Sequence, residues 1–296
     1  MIGYDRLGTN GRLGNQMFQY ASLRGIAANN NLEFCIPSED TPTLASYGLF
    51  ECFKLPNVKH TGLVGELAKG FSVSPISIDE PGFEFDEELF NNCPDNVNID
   101  GYRQTEKYFK HIEDSIREDY QFKDEIYQPC KEYMDQFNGE IAFLHLRRGD
   151  NVGRSHLYPI PTVDHYEYLL EKYFPDQPIL ICSDDLEWVK NQSLFCDDRF
   201  HLSETRVYYP DQVLNGAGQM ETSLVPYYDL CMMTLCNGGI IANSSLSWWG
   251  AWLQKDRTNP VVAQDPWFGQ QLDSNNTSDL VPDSWIIEKI PEEKIQ

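Results

Sequence analysis

Residues 141–150 read IAFLHLRRGD, an apolar run that ends in two adjacent arginines, a glycine and an aspartate. The run predicts a buried strand, and alternation along it places His145 and Arg147 on one face and Arg148 on the other. The glycine allows the chain to turn. A guanidinium at the carboxyl edge of a parallel sheet is a common diphosphate site, because arginine binds phosphate oxygens bidentately. The alternative is a solvated sheet edge or a structural ion pair with Asp150.

The rest of residues 139–296 alternates between strands and helices. We predict strands at 141–147, 179–182, 239–242 and 260–263, and helices at 164–174, 184–192, 227–236 and 246–254. This succession is the pattern of a doubly wound parallel sheet. The long connection at 203–226 is interpreted as a lid or an acceptor loop, because connections of that length are seldom structureless.

Residues 1–138 form a region with a different pattern. A glycine-rich start leads into a predicted helix from about 16 to 30, a short strand at 34–36 and a charged helical stretch from about 106 to 137. Residues 2–7 make a poor first strand. We place the boundary at Asn138-Gly139, which gives predicted domains at 1–138 and 139–296.

The composition is that of a folded and strongly acidic protein. The 296 residues are 41% hydrophobic and 13% aromatic, and the formal net charge is −23. Such a charge repels nucleic acid and anionic membranes, so neither is an expected partner. An anionic substrate would have to be bound by locally clustered arginines.

Cysteine usage and the start of the chain indicate a cytoplasmic protein. The eight cysteines include no Cys-x-x-Cys pair and most lie in apolar surroundings, which is typical of reduced core thiols. Residues 1–7 lack the features of a signal peptide, and no apolar run reaches the roughly 20 residues of a membrane span. We therefore expect a cytoplasmic protein without a transmembrane segment.

Residues 11–16 read GRLGNQ and open the first predicted helix. The glycines flank Arg12 and Asn15 at a helix start, where free backbone N–H groups favour an anion. The alternative is a turn followed by an ordinary helix cap.

Residues 243–249 read NSSLSWW and follow the predicted strand at 239–242. A cap needs one hydroxyl, whereas three lie within four residues here, which suggests a phosphate or sugar ligand at the positive end of the helix. Asn243, Ser244 and Ser245 are therefore candidates, with capping as the alternative for the first two. The tryptophans are interpreted as core.

Residues 183–185 read SDD and follow another predicted strand. A carboxylate of Asp184 or Asp185 could accept hydrogen bonds from a ribose or a base, or hold a metal, and capping is the alternative. The chain contains no Asp-x-Asp sequence, which argues against a metal-chelated sugar nucleotide.

Four motifs, taken in order, resemble the α-1,2-fucosyltransferases of glycosyltransferase family 11. They are GRLGNQMFQYA at 11–21, HLRRGD at 145–150, SDD at 183–185 and NSSLSWWGAW at 243–252. The resemblance implies an α/β fold of GT-B type, in which two Rossmann-like domains face a cleft. Residues 1–138 would be the acceptor-side domain and residues 139–296 the GDP-sugar-binding domain. The resemblance also implies an inverting, metal-independent reaction with GDP-fucose as co-substrate and no cofactor.

The same resemblance implies roles for individual residues. Arg147 would bind the β-phosphate, Asn15 and Arg12 would approach the leaving group, Asp229 would read the guanine edge and Ser245 would touch phosphate. The full predicted donor-binding set is Arg12, His145, Arg148, Ser183, Asp184, Asp185, Asp229, Asn243, Ser244 and Ser245.

The function implied is that of a galactoside 2-α-L-fucosyltransferase, which moves L-fucose from GDP-fucose to the 2-hydroxyl of a galactose-terminated glycan. Arg147 and Asn15 are the predicted catalytic residues, and the acceptor hydroxyl needs a base or a late proton transfer. His156 and Asp150 are the candidate bases, with an ordinary loop histidine as the alternative for His156. Two other functions stay open: a transferase of another GDP-sugar, and a non-catalytic module that binds GDP or a glycan.

Overall fold

A computed structural model describes most of the chain as two compact units. The described residues are 1–9, 11–39, 48–64, 76–203, 213–214, 220–221, 226–255 and 257–296. The first unit comprises Met1–Lys123 and Asn275–Pro282, and the second comprises Asp124–Ser274 and Asp283–Gln296. The predicted lid or acceptor loop at 203–226 lies largely outside the described residues.

The described helices and strands are numbered in chain order. The helices are α1 (Leu13–Asn29), α2 (Gly48–Cys52), α3 (Glu87–Asn92), α4 (Glu113–Asp119), α5 (Asp124–Met134), α6 (Val163–Tyr173), α7 (Leu186–Lys190), α8 (Tyr227–Leu235) and α9 (Ser245–Trp252). The strands are β1 (Ile2–Gly3), β2 (Phe34–Cys35), β3 (Ile76–Ile78), β4 (Val97–Ile99), β5 (Ala142–Leu146), β6 (Ile179–Ser183), β7 (Phe200–Leu202), β8 (Val213–Leu214), β9 (Met220–Glu221), β10 (Gly239–Ile240), β11 (Val261–Asp265) and β12 (Ile286–Lys289).

The first unit is built on a parallel sheet of order β2-β1-β4-β3. Helix α1 is buried on nearly all sides, because apolar and small residues occupy most of its positions. Gly25 lies against the backbone carbonyl of Tyr108, where a Cβ would collide. Arg24, on the same helix, forms a buried ion pair with Asp119. The helix is therefore the core of this unit, and its N-terminus carries the GRLGNQ motif.

The second unit is built on a parallel sheet of order β12-β11-β10-β5-β6-β7. Strands β5 and β6 lie inside it and are buried along their whole length, as their continuous apolar sequences require. Trp248, Trp249 and Trp252 of α9 are buried and pack on one another, so the tryptophans are core residues. The carboxyl end of β5 therefore places Arg147 near the middle of the sheet edge.

Most elements of the second unit lie within a few residues of their predicted positions, as α6 does. The domain division differs from the predicted boundary at 138–139, because α5 packs against α8 and so belongs to the second unit. The segment 275–282 returns to the first unit, where Asp279 pairs with Lys107 and accepts a hydrogen bond from the Phe85 N–H at 2.9 Å. The stretch at 106–137 is broken into short helices rather than one.

Two further sequence expectations concern the thiols and the membrane. All eight cysteines carry free thiols, and seven of them are buried. Among the helices that the structure describes, none combines the length and the apolar character needed to cross a bilayer.

Candidate functional site

Arg147 is held by carboxylates at the carboxyl end of β5. Its two terminal nitrogens donate to Asp184 and to Asp150. The second oxygen of Asp184 accepts the backbone N–H groups of Arg148 at 2.8 Å and Gly149 at 3.1 Å. Asp184 therefore fixes both the turn after β5 and the guanidinium that the turn presents. A Cβ on Gly149 would collide with the Asp184 carboxylate, so glycine at this position leaves the carboxylate its place beside Arg147.

The Arg148 guanidinium contacts an aromatic ring, a carboxylate and an amide of the protein. Its guanidinium stacks on Trp188, 3.7 Å from the ring centroid, and pairs with Asp185 at 3.3 Å. It also donates to the Gln296 side chain at 3.0 Å. These contacts tie β5 to α7 and to Gln296. The ion pair with Asp150, which was the alternative considered for the double arginine, is formed by Arg147.

Ser183 and Asp185 form the start of α7. The Ser183 hydroxyl accepts the Asp185 N–H at 3.0 Å, and the Asp185 carboxylate accepts the Trp188 N–H at 3.1 Å. Asp185 is thus the N-cap of α7. Capping, the alternative considered for Asp185, describes its observed contacts.

His145 is a buried neutral imidazole. Burial, with a smaller contribution from the charge of Arg147, lowers the pKa of His145 from 6.5 to about 3. Its Nδ1 has no hydrogen-bond partner among the described residues. A neutral ring beside Arg147 can exchange hydrogen bonds with a ligand, but it carries no charge at neutral pH.

The hydroxyls at the start of α9 differ in their contacts. Ser247 is buried and bonds to backbone carbonyls of its own turn, those of Ala242 at 3.4 Å and Ser244 at 3.3 Å. Ser244 occupies the N-cap position but makes no side-chain cap hydrogen bond. Asn243 donates to the carbonyls of Pro266 and Trp267. The capping interpretation therefore does not describe the Ser244 side chain, and its role in donor binding stays a prediction.

Asp229 lies in the first turn of α8 and receives a hydrogen bond from the hydroxyl of Ser203. Ser203 is buried and follows β7, and its N–H donates to the Ile181 carbonyl of β6 at 2.9 Å. The N-cap position of α8 is Pro226, so Asp229 does not cap this helix. The carboxylate is thus held at the β7 side of the sheet edge.

In the first unit, Asn15 is oriented by a residue far away in sequence. Gln104 is buried and its Nε2 donates to Asn15 Oδ1 at 2.9 Å. On the other side, Asn15 packs against Gly11, whose φ of +88° favours glycine. Arg12 is exposed at the N-cap of α1 and makes no side-chain cap hydrogen bond.

The two candidate bases are both exposed in the second unit. Asp150 pairs with Arg147 with about half of its side chain exposed. His156 lies in the connection between β5 and α6, where its backbone carbonyl accepts the Gln271 N–H at 3.0 Å. Of the two, Asp150 is the one that contacts Arg147.

Sequence reasoning missed three residues that hold or adjoin predicted site residues. They are Gln104, Ser203 and Gln264. Ser203 and Gln264 each lie at or just beyond the end of a strand, which is a usable signal. Gln104 has no local signal, because its contact with Asn15 joins residues that are 89 positions apart.

The chain resembles several known proteins. A model of the family described as glycosyl transferase family 11 matches residues 4–288. An α-1,2-colitosyltransferase of Escherichia coli is 28% identical, with 94% of this chain and 97% of that protein covered. The galactoside α-(1,2)-fucosyltransferase 2 of Pongo pygmaeus is 22% identical, over 82% of this chain and 67% of that protein.

Solved structures show the same fold at low sequence identity. The fucosyltransferase NodZ from Bradyrhizobium gives a TM-score of 0.52 at 13% identity and covers 88% of this chain and 95% of its own. POFUT1 in complex with GDP gives 0.53 at 10% identity, with 88% and 97% covered. Together with the two parallel sheets, this confirms an α/β fold of GT-B type. The chain belongs to glycosyl transferase family 11 and is a glycosyltransferase.

Proposed function

We propose that this glycosyltransferase moves L-fucose from GDP-fucose to the 2-hydroxyl of a galactoside, with inversion at the anomeric carbon. The observation that carries the proposal is the Arg147 guanidinium, fixed by Asp184 at the carboxyl end of β5. The names of related proteins support the sugar and the linkage, since several relatives are named α-(1,2)-fucosyltransferases. The NodZ structure soaked with GDP-fucose supports the nucleotide.

The chemistry follows from where charge develops. The acceptor oxygen attacks the anomeric carbon while the bond from that carbon to the β-phosphate oxygen breaks, so negative charge accumulates on the departing GDP. Arg147, with the N-terminus of α9, supplies positive charge for that oxygen. Loss of one such preorganised donor typically costs about 3–4 kcal/mol of barrier.

The two carboxylates on Arg147 have different roles in this proposal. Asp184 is anchored by backbone N–H groups, whereas the side chain of Asp150 is half exposed to solvent. The incoming diphosphate therefore competes with Asp150 for the guanidinium and leaves Asp184 in place. Asp150, once displaced, is a candidate to take the proton of the acceptor hydroxyl, and His156 is the other candidate. An acidic limb of the pH–rate profile that disappears in Asp150→Asn but persists in His156→Gln would assign the base.

We propose further that no divalent metal takes part and that GDP-fucose is the co-substrate. Arg147 provides a cationic group of the kind that otherwise comes from a metal in sugar-nucleotide chemistry. Turnover should be unchanged in excess chelator. A loss of turnover that only Mg²⁺ or Mn²⁺ restores would contradict this part of the proposal and direct attention to Asp184 and Asp185.

A second candidate function is transfer of another sugar from its GDP derivative. The similarity to an α-1,2-colitosyltransferase favours it, and colitose is the 3-deoxy form of L-fucose. The two candidates share the nucleotide and differ at a single hydroxyl. Direct competition between GDP-fucose and GDP-colitose in one reaction separates them.

The experiment that tests the proposal is incubation of the protein with GDP-fucose and a panel of β-galactosides, with mass spectrometry of the products. The expected product is an acceptor that carries one added fucose. Release of GDP without any modified acceptor would show that the acceptor class is wrong. Absence of both GDP release and GDP binding would contradict the proposed function as a whole.

A further inference from the structure

A small cavity lies at the carboxyl edge of the second unit's sheet. Its volume is about 10 Å³, and its lining comes from the ends of three neighbouring strands, β5, β10 and β11, and from the chain that leads into α6. The lining residues used below are Arg147, Asn243 and Gln264. The buried Tyr166 also lines the cavity, and its hydroxyl interacts with the Gln264 side chain. A space of this size accommodates one oxygen atom with its hydrogens, such as a water or a hydroxyl group.

Two amide oxygens of the lining residues lack hydrogen bonds. Asn243 Oδ1 and Gln264 Oε1 are both buried and have no partner among the described residues. Gln264 as a whole is only 3% exposed. Buried polar atoms are nearly always paired in native proteins, so two unpaired oxygens at one cavity indicate a missing hydrogen-bond donor.

The backbone sets the orientation of both amides. Asn243 Nδ2 donates to the Pro266 carbonyl at 2.8 Å and to the Trp267 carbonyl at 3.0 Å. Gln264 Nε2 donates to the Ile241 carbonyl at 2.8 Å. Rotating either amide would break these bonds, so both oxygens stay acceptors. A group that pairs with these two oxygens must donate O–H or N–H hydrogen bonds. The positive charge of Arg147, which lines the same cavity, disfavours a cation there.

The order of the strands in the sheet indicates whether the base, the diphosphate or the sugar of a GDP-sugar would lie near this cavity. Asp229, the predicted guanine reader, is bonded to Ser203 beside β7, and Arg147 follows β5, two strands further along the sheet. Strands are spaced by roughly 4.8 Å, so base and diphosphate positions are about 10 Å apart along this edge. The sugar continues from the β-phosphate away from the base, which is toward β10 and β11.

We propose that Gln264 and Asn243 form a subsite for a hydroxyl group of the donor sugar, with their amide oxygens accepting its hydrogen bond. This inference rests on the proposed function, because it takes Arg147 as the diphosphate ligand. It makes the two amides specificity-determining residues: a sugar that lacks the matching hydroxyl leaves buried acceptors unpaired. A site built to bond a hydroxyl rejects the analogue without it far more strongly than an apolar site can.

The test measures discrimination, defined as the ratio of kcat/KM for GDP-fucose to that for a monodeoxy analogue. The analogues are the 2-deoxy and 4-deoxy derivatives together with GDP-colitose, the 3-deoxy one. The wild-type protein should discriminate against one of them by about 100-fold or more. In Gln264→Met, which replaces the amide by an apolar side chain of similar length, that ratio should fall by about 10-fold or more, while GDP affinity stays within about twofold.

Gln254→Met is the matched control. Gln254 is equally buried, but its amide is fully paired, since Oε1 accepts the Gly238 N–H at 3.1 Å and Nε2 donates to the Met233 and Gly238 carbonyls. It does not line the cavity. This variant should lose stability without any change in discrimination between donors.

Two results would overturn the subsite. One is an equal fall in kcat/KM for GDP-fucose and every analogue in Gln264→Met, which would mean that the cavity holds a structural water only. The other needs no variant: a wild-type protein that binds and uses all three deoxy donors as well as GDP-fucose has no hydroxyl subsite. Neither result affects the proposed function, which is tested separately by whether the wild-type protein transfers fucose from GDP-fucose to a galactoside.

Discussion

Asp184 joins the Arg147 guanidinium to the backbone of the turn that follows β5. One carboxylate oxygen pairs with the guanidinium, and the other accepts two consecutive backbone N–H groups, those of Arg148 and Gly149. The arginine is therefore oriented before any ligand arrives, which is what electrostatic stabilisation of a leaving group requires. Asp184 was also predicted to bind the donor, and its observed contacts are with the arginine and the turn.

Arg147→Lys should reduce kcat by about 100- to 1,000-fold, because a point charge cannot reproduce a planar fork that binds two groups at once. Steady-state kinetics with GDP-fucose measures the effect. Near-normal turnover in a folded Arg147→Lys protein would show that Arg147 is not the diphosphate ligand. Arg148→Lys is the informative comparison, since its stacking on Trp188 predicts a lower melting temperature and a much smaller change in kcat.

Gly149→Ala should reduce kcat by about 100-fold although it adds only a methyl group. The new Cβ would collide with Asp184 and lie 3.3 Å from the Arg147 Nη1, so the carboxylate and the arginine must shift. Gly82→Ala is the control, because its Cβ meets Glu84 Oε2 only at 3.4 Å. Equal kinetics for the two variants would mean that the position of Asp184 does not matter for turnover.

Asp229→Asn should lower GDP affinity by about 10-fold or more, at about 1.4 kcal/mol per decade, because one acceptor oxygen becomes a donor facing the N–H groups of guanine. Calorimetric titration with GDP measures it, and the melting temperature without ligand should barely change. Ser203→Ala should weaken GDP binding in the same direction, since it removes the hydrogen bond that holds the carboxylate. Unchanged GDP binding with a lowered melting temperature would make Asp229 a residue that stabilises α8 only.

Stability should fall as the pH drops below about 6.5 because of His145. The pKa of His145 is lowered to about 3 in the folded protein, chiefly by burial, while the unfolded chain titrates near 6.5. Between these values the unfolded state binds the extra proton, so the free energy of unfolding decreases by at most about 1.4 kcal/mol per pH unit from this group. Urea denaturation of wild type and His145→Gln at pH 7 and pH 5 checks it. A pH dependence identical in both proteins would refute the assignment.

The fold of the second unit could be predicted from the sequence because its signals are local. The buried strands β5 and β6 are continuous apolar runs, and helices such as α6 show a clear period, so their positions differ from the prediction by a residue or two. The domain division could not be read in this way. It depends on α5 packing against α8 and on Asp279 returning to the first unit, and both contacts join distant parts of the chain.

In the candidate site, too, the residues with local sequence signals could be predicted and the tertiary contacts could not. The sequence identified Arg147, Asp150, Asp184 and Asp229 as charged residues at strand ends or helix starts, where the structure finds them. Alternation placed Arg148 on the opposite face from Arg147, but it could not identify Trp188 as the partner of Arg148, because that contact depends on tertiary packing. Gln104, the buried partner of Asn15, comes from tertiary packing alone. Ser203, the partner of Asp229, follows the end of β7 and so had a local signal that was missed.

The most direct test of the central claim is proton NMR of one reaction mixture that contains the protein, GDP-β-L-fucose and a β-galactoside. The account predicts a new α-fucosyl anomeric signal that grows as the GDP-fucose signal declines, with a through-bond correlation to carbon 2 of the galactose. A β-fucosyl product would contradict inversion, and a correlation to another galactose carbon would contradict the 2-hydroxyl as acceptor. No new anomeric signal with any galactoside would contradict the proposed function itself.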